Sequence, residues 1–300
     1  MNNKGINLKK IKGNLILLLT SVIWGASFVS QRVGMEKIPP ATFNGIRLLI
    51  GAIVLLPVII ISDRMKYKNG AEKPSKEEKK ILLKGGIICG IFLCIATTVQ
   101  TWGLMYTTSG KSGFITAMYI IFVPFIGLLL KRSFPKIAFL SAFIALVGMY
   151  LLCGFNDGFD FNIGDFLTLI CAVVFSFHII AIDIFSPKAD GIKLSALQFF
   201  FAGIIDFVII VLFDKPDIGL IIDCTVPILY SGVMSCGVAY TLQIIGQKYT
   251  DPASASILMS LESVFAVLSG MIILGEAMSG IEILGCMLMF AAIIINTLKS

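Results

Sequence analysis

The chain has 300 residues, 57% of them hydrophobic and only 14% charged, with a formal net charge of +6. Soluble domains hold roughly 45–50% apolar and 25% charged residues, so this composition excludes a soluble globular protein and calls for an integral membrane one. The seven cysteines are odd in number, scattered and mostly inside apolar stretches. They show no CxxC or Cys/His spacing, which argues against a disulfide frame or a structural zinc.

A bilayer core takes roughly 20 apolar residues per helix. On that ruler the chain divides into ten predicted spans, near residues 13–33, 41–62, 82–106, 112–130, 136–153, 164–185, 194–213, 226–247, 253–274 and 280–298. The Lys-rich start runs into the first span without a cleavage site, so that span is expected to be retained. Connections are short except the charged run from Asp63 to Lys84. The expected fold is an all-α membrane protein of ten transmembrane helices, arranged as a short N-terminal segment (1–12) and two five-helix units (13–153 and 164–298).

Lys and Arg are retained on the cytoplasmic side of a membrane. With the N-terminus inside, the segments facing the cytoplasm hold 19 of the 24 basic residues and the outer segments four. Both termini are therefore expected in the cytoplasm, with the chain in the plasma (inner) membrane. Arg47 alone falls inside a span away from its edges. The positive charge is accounted for by topology, and a nucleic-acid partner is not needed to explain it.

The two units resemble each other. An offset of 143 lays AYTLQIIGQKYT (239–250) on ATTVQTWGLMYT (96–107) with six identities, among them Gln243 on Gln100 and Gly246 on Gly103. For the early spans an offset of 151 places Gly164 on Gly13, Phe175 on Trp24, His178 on Ser27 and Gln198 on Arg47. Five spans is an odd number, so two consecutive copies must point opposite ways across the membrane. That is an inverted repeat, from which alternating access follows readily.

The order of several short stretches is similar to the EamA family of the drug/metabolite transporter superfamily. In the first copy these are SVIWGASFVS with Trp24 and Gly25, FNGIRLLIGAIVLLP with Arg47, and the run from Gln100 to Thr107. In the second they are GDFLTLICAVVFSFHII, Asp251-Pro252-Ala253, LESVFAVLSGMIILGE with Glu262, Gly275 and Glu276, and Gly285. Ser263 stands where similar proteins often carry Pro, and Phe175 where they often carry Trp. The resemblance implies a ten-helix carrier of small organic metabolites, often outward, usually by exchange with an ion gradient.

Candidate residues follow from polarity inside apolar spans. Glu262 lies mid-span, where an ionised carboxylate is costly, and is the candidate for ion coupling, with protons as the expected ion. Its alternative is a hydrogen-bonded structural role. Gln100 and Gln243 occupy matched positions and can bind polar substrate groups or pair within the bundle. His178, the one histidine, is a candidate proton-sensitive or packing group. Trp24, Tyr106, Tyr119 and Tyr240 can stack on a planar substrate or fill space, and Ser27 matches His178. Arg47 sits about two turns into its span and can snorkel to the outer interface or meet substrate. Glu276 is expected at the interface. The first and sixth, third and fourth, and eighth and ninth helices are expected to line the cavity.

Two other function classes find some footing in the sequence. Gly110-Lys111-Ser112-Gly113 reads as GxSG, which with His178 would make an intramembrane serine protease, although a serine nucleophile needs its base within hydrogen-bond reach. A flippase for lipid-linked groups is the second. No GxxxxGK[ST] run is present, so ATP hydrolysis is not expected. With one histidine there is no His-pair metal site, and a carrier is expected to need neither a cofactor nor an enzymatic activity. The substrate class stays open, with amino acids and similar planar metabolites suggested by the aromatic residues.

Overall fold

The computed structural model describes residues 3–107, 109–131, 134–154, 162–274 and 279–299. Gly275 and Glu276 lie outside them. Among the described residues every regular element is a helix. Nine helices are long and apolar enough to span a bilayer: α1 (Leu8–Met35), α2 (Pro40–Lys68), α3 (Lys76–Gly103), α4 (Ser112–Leu129), α6 (Ile163–Phe185), α7 (Gly191–Phe213), α8 (Thr225–Gln247), α9 (Pro252–Ser269) and α10 (Gly280–Leu298). A shorter apolar helix, α5 (Lys136–Leu152), completes ten crossings. A short helix at Ile218–Asp223, where the sequence reading placed only a connection, leads into α8.

Helix starts are written in the local chemistry. Pro40 opens α2 at a position where its missing N–H costs nothing. Ser75 and Glu78 form a capping box on α3, with Glu78 N donating to Ser75 Oγ at 3.2 Å and Ser75 N to Glu78 Oε2 at 2.8 Å. Asn162 and Asp165 repeat the device on α6. Asp251 Oδ1 caps α9 by accepting from Ser254 N at 2.9 Å.

The bundle is apolar on its outer surface, and inside it buried polar side chains stand among apolar clusters. Large apolar side chains such as Leu212, Phe213 and Val226 face outward. Some buried polar side chains bond across the bundle, as Asn44 does to Thr97 and Thr241 to Ser195, while others such as Ser176 and Ser260 bond back to a carbonyl of their own helix. The main helix pairs join the two halves: α2 with α7, α3 with α6, α1 with α8 and α9, and α5 with α10.

Matched positions build matched crossings. At the end carrying the N-terminus, α1 meets α8 through Gly13 and Gly246, and a Cβ at Gly13 would lie 2.6 Å from Thr250 Oγ1. At the opposite end α6 meets α3 through Gly164 and Gly103, where a Cβ on Gly164 would lie 2.6 Å from Gly103 O. Only glycine permits so close an approach. Each crossing carries an equivalent hydrogen bond: Thr250 Oγ1 donates to Asn14 Oδ1 at 3.0 Å, and Thr107 Oγ1 donates to Asp165 Oδ1 at 2.6 Å. Asn14 maps on Asp165 at the offset of 151, and Thr107 on Thr250 at 143.

Ion pairs tie α2 to α7 at the N-terminal end. Lys66 Nζ pairs with Asp190, and Lys193 Nζ with Asp63 Oδ1 at 2.7 Å. Asp190 also caps α7, accepting from Ile192 N at 3.0 Å and Lys193 N at 3.1 Å. Burial alone would raise the Asp190 pKa. The Lys66 hydrogen bond, the Lys193 amide and both lysine charges outweigh that and hold the carboxyl below its ordinary value. Asp190→Asn keeps the cap and removes the charge, so at neutral pH it should cost up to about 1 kcal/mol, since the pair is partly solvated. A group whose folded pKa is depressed stabilises above its unfolded pKa, about 3.9, and loses that contribution as pH falls through the lower folded value. Melting curves of wild type and Asp190→Asn should therefore differ at pH 7 and converge below about pH 4.

Candidate functional site

A cavity of about 40 Å³ lies between the two halves. That is room for roughly three waters, so a metabolite fits only if helices move. Its lining follows the repeat. Trp24 and Phe175, Phe28 and Ile179, Gln100 and Gln243, Thr116 and Met259, and Tyr119 and Glu262 all line it, and each two are equivalent by the offset of 151 or 143. Gln31, Arg47, Ser235 and Tyr240 complete the wall without equivalents in it. The six helices expected at the cavity are present, and α2 adds Arg47.

Two of these helices are interrupted where they reach the cavity. In α4 the helical run stops at Thr116 and resumes at Tyr119, and in α9 it stops at Met259 and resumes at Glu262. At both breaks the bonds tighten to three residues: Met118 N donates to Ile115 O at 3.1 Å, and Leu261 N to Leu258 O at 3.3 Å. The breaks coincide at the 143 offset. Tyr119 and Glu262 thus each open a half-helix, and the Tyr119 hydroxyl donates to Glu262 Oε1 at 3.2 Å. Broken helices that present half-helix starts to a mid-membrane cavity are a recurrent device of transporters built from inverted repeats. In α8 a π-helical stretch over Tyr230–Tyr240 carries Ser235 and Tyr240 into the wall.

Several polar atoms around the cavity have no hydrogen-bond partner among the described residues: Trp24 Nε1, Gln31 Oε1 and Gln243 Oε1. In a protein interior such atoms are normally satisfied, and a donor with two acceptors facing one cavity marks a place for water or a ligand. Gln100 Nε2 donates to Thr116 Oγ1 at 3.1 Å, and the Trp24 and Tyr240 rings meet edge to face with centroids 4.6 Å apart.

The expected substrate residues divide by geometry. Trp24, Gln100, Tyr119, Tyr240 and Gln243 line the cavity together with Glu262. Ser27 is buried outside the lining and its Oγ has no partner among the described residues. His178 sits behind the wall: its Nε2 is 3.0 Å from Gln198 Oε1, and its ring packs 6.2 Å from that of Tyr240. Tyr106 is 58% exposed at the end of α3 and does not reach the cavity. Ser112 meets Thr168, 3.4 Å between their oxygens, while His178 is engaged with Gln198, so the two do not form a nucleophile and base.

Arg47 differs from the snorkelling expectation. It is 3% exposed and turned inward, with Nε and Nη2 donating to Asn44 Oδ1 at 2.9 and 2.8 Å. Asn44 Nδ2 in turn donates to Asp206 Oδ2 at 2.6 Å and to Thr97 Oγ1 at 2.9 Å. Thr98 Oγ1 donates to Asp206 Oδ1 at 2.6 Å, and Cys94 Sγ to the same oxygen at 3.4 Å. Asp206 on α7 is the reason Arg47 stays inside, because the amide of Asn44 relays an opposite charge to it. The sequence reading missed Asp206. Its signal was available, an acid inside the apolar run FFFAGIIDFVIIVLF, by the same cost argument that singled out Glu262.

Removing Asp206 would leave a buried guanidinium without its counter-charge. Asp206→Ala should destabilise the protein by about 3–5 kcal/mol, whereas the double change Arg47→Gln with Asp206→Asn, which removes both charges together, should recover most of it. Thermal unfolding in detergent of the single and double variants checks this ordering.

Comparison with known proteins places the whole chain. The family model described as the EamA-like transporter family matches residues 11–154 and again 162–298. An "Uncharacterized transporter" of Archaeoglobus fulgidus is 30% identical over 97% of this chain and 88% of its own length. YoaV of Bacillus subtilis, also named an uncharacterized transporter, is 22% identical over 96% and 97%. A solved crystal structure with 18% identity superposes with a TM-score of 0.76 over 96% of each chain, a likeness of fold. With both halves matched separately and colinearly, the chain belongs to the EamA-like transporter family.

Proposed function

We propose that the chain is a secondary transporter that moves a small organic metabolite outward across the plasma membrane, by alternating access of the two halves around the central cavity. The observation that carries this is the lining: five equivalent pairs, with the Tyr119–Glu262 contact joining the two copies. A wall built from the same positions of two inverted units is a site each half can open on its own side. The glycine crossings support the same reading. Parting α1 from α8 opens one end, parting α6 from α3 opens the other, and the small cavity fits a state with both formed.

The orientation in this proposal has both termini in the cytoplasm, on the excess of basic residues in the segments at that end. It has 1–12 as a cytoplasmic segment and 13–153 and 164–298 as the moving repeats. Trp24, Gln100, Tyr119, Tyr240 and Gln243 contact substrate, and amino acids or comparable planar metabolites suit the aromatic lining. His178 tunes the cavity through Tyr240.

In this reading Glu262 carries the coupling proton. It sits at the start of a half-helix with Tyr119 as its one side-chain hydrogen-bond partner among the described residues, and two halves of the bundle meet at that bond. A carboxylate exposed alternately to two sides takes up a proton on one and releases it on the other. Glu262→Gln keeps size and hydrogen bonding and removes titration. In proteoliposomes the variant should bind substrate and exchange it down its own gradient, but lose accumulation driven by an imposed pH gradient. Unchanged pH-driven uptake by Glu262→Gln would dismiss the coupling role.

A further inference from the structure

We infer that Arg47 is the anion-binding group of the cavity and that the transported metabolite carries a single carboxylate, an inference that rests on reading the cavity as the transport site. A guanidinium offers five N–H donors in a planar fork. Asn44 Oδ1 occupies Nε and Nη2, and Nη1 has no protein acceptor among the described residues although Arg47 lines the cavity. No carboxylate lies within ion-pair distance of Arg47 among the described residues. Asp206 balances the charge from one residue away, through Asn44, and so steadies the guanidinium without covering its free side. A carboxylate arriving in the cavity meets a fixed, partly unpaired guanidinium, the partner for which the fork geometry is suited.

The count of charges limits the ligand. Arg47 is the one basic side chain in the lining among the described residues, and Glu262 shares that wall. With Asp206 already balancing Arg47, every negative charge the ligand brings is in excess, and buried excess charge is costly. A single carboxylate brings half the excess of a phosphate dianion, so it is the anion this wall favours. The site also lies off the symmetry axis, because Gln198, the equivalent of Arg47, is engaged with His178 and does not line the cavity. The carboxylate is therefore held on the α2 side. The unpartnered Trp24 Nε1, Gln31 Oε1 and Gln243 Oε1 are left for the remainder of the molecule.

The test uses purified full-length protein in nanodiscs and matched pairs of probes: lactate and lactamide, alanine and alaninamide, phenylalanine and phenylalaninamide, tryptophan and tryptophanamide. Binding is read by titration. The acids are expected to bind at least tenfold more tightly than their amides, the scale of one charge-assisted hydrogen bond. Arg47→Lys should keep the preference at lower affinity, since it retains the charge and loses the fork. The double variant Arg47→Gln with Asp206→Asn, which leaves no unpaired buried charge, should lose the preference. Equal binding of acid and amide by wild type overturns the inference, as does an acid preference that survives in the double variant. Gln243→Trp, which fills the cavity, separates this from the underlying reading. Equal binding abolished by Gln243→Trp refutes the anion site alone, while an acid preference untouched by Gln243→Trp puts the binding site elsewhere and refutes both.

Discussion

A polar side chain inside a bilayer has no bulk water to fall back on, so it must be answered by protein, trapped water or ligand. That constraint organises the whole bundle. Where the polar groups are answered by one another, as in the chain from Arg47 through Asn44 to Asp206 and Thr98, helices of the two halves are joined. Where they are left unanswered, as at Trp24 Nε1, Gln31 Oε1 and Gln243 Oε1, the two halves surround a cavity. The same requirement explains the helix breaks in α4 and α9. Backbone can leave the regular helix at membrane depth only where it is enclosed by protein or faces a cavity, and both breaks do.

Inverted repetition supplies the geometry and departures from it supply the chemistry. The crossings of α1 with α8 and of α6 with α3 are equivalent in their glycines and their threonines, yet one carries Asn14 and the other Asp165. Tyr119 and Glu262 hold equivalent positions and differ as donor and acceptor, which is why they can bond to each other. Arg47 and Gln198 differ likewise, as do Asp206 and its equivalent Leu55, so the charged pair exists once in the molecule. The two halves are similar in framework, and the substitutions between them make the interior chemically asymmetric.

The spans and the repeat were legible in the sequence because both are one-dimensional signals: the length of apolar runs and colinear identity. Glu262 stood out as a carboxylate inside an apolar span, and Gln100 and Gln243 as amides at matched positions, and all three line the cavity. What the linear pattern does not carry is rotational phase. Tyr106 follows Gln100 closely in sequence but lies in the exposed turn past the end of α3, and His178 is turned toward Gln198 behind the wall. The inward turn of Arg47 depends on Asp206, 159 positions away, so distance from the helix end alone pointed the wrong way. The π-helical stretch of α8 shifts Tyr240 relative to Thr97, its equivalent in a regular helix, and no local sequence rule announces it.

The central claim is that the two glycine crossings open in alternation around one cavity. Spin labels placed in pairs across α1 and α8 near Asn14 and Thr250, and across α6 and α3 near Asp165 and Thr107, measure it directly by double electron–electron resonance in nanodiscs. The account predicts two distances at each crossing, with the long population at one end rising as the long population at the other falls when pH or ligand is varied. A single fixed distance at both crossings under all conditions, or both widening together, would contradict it.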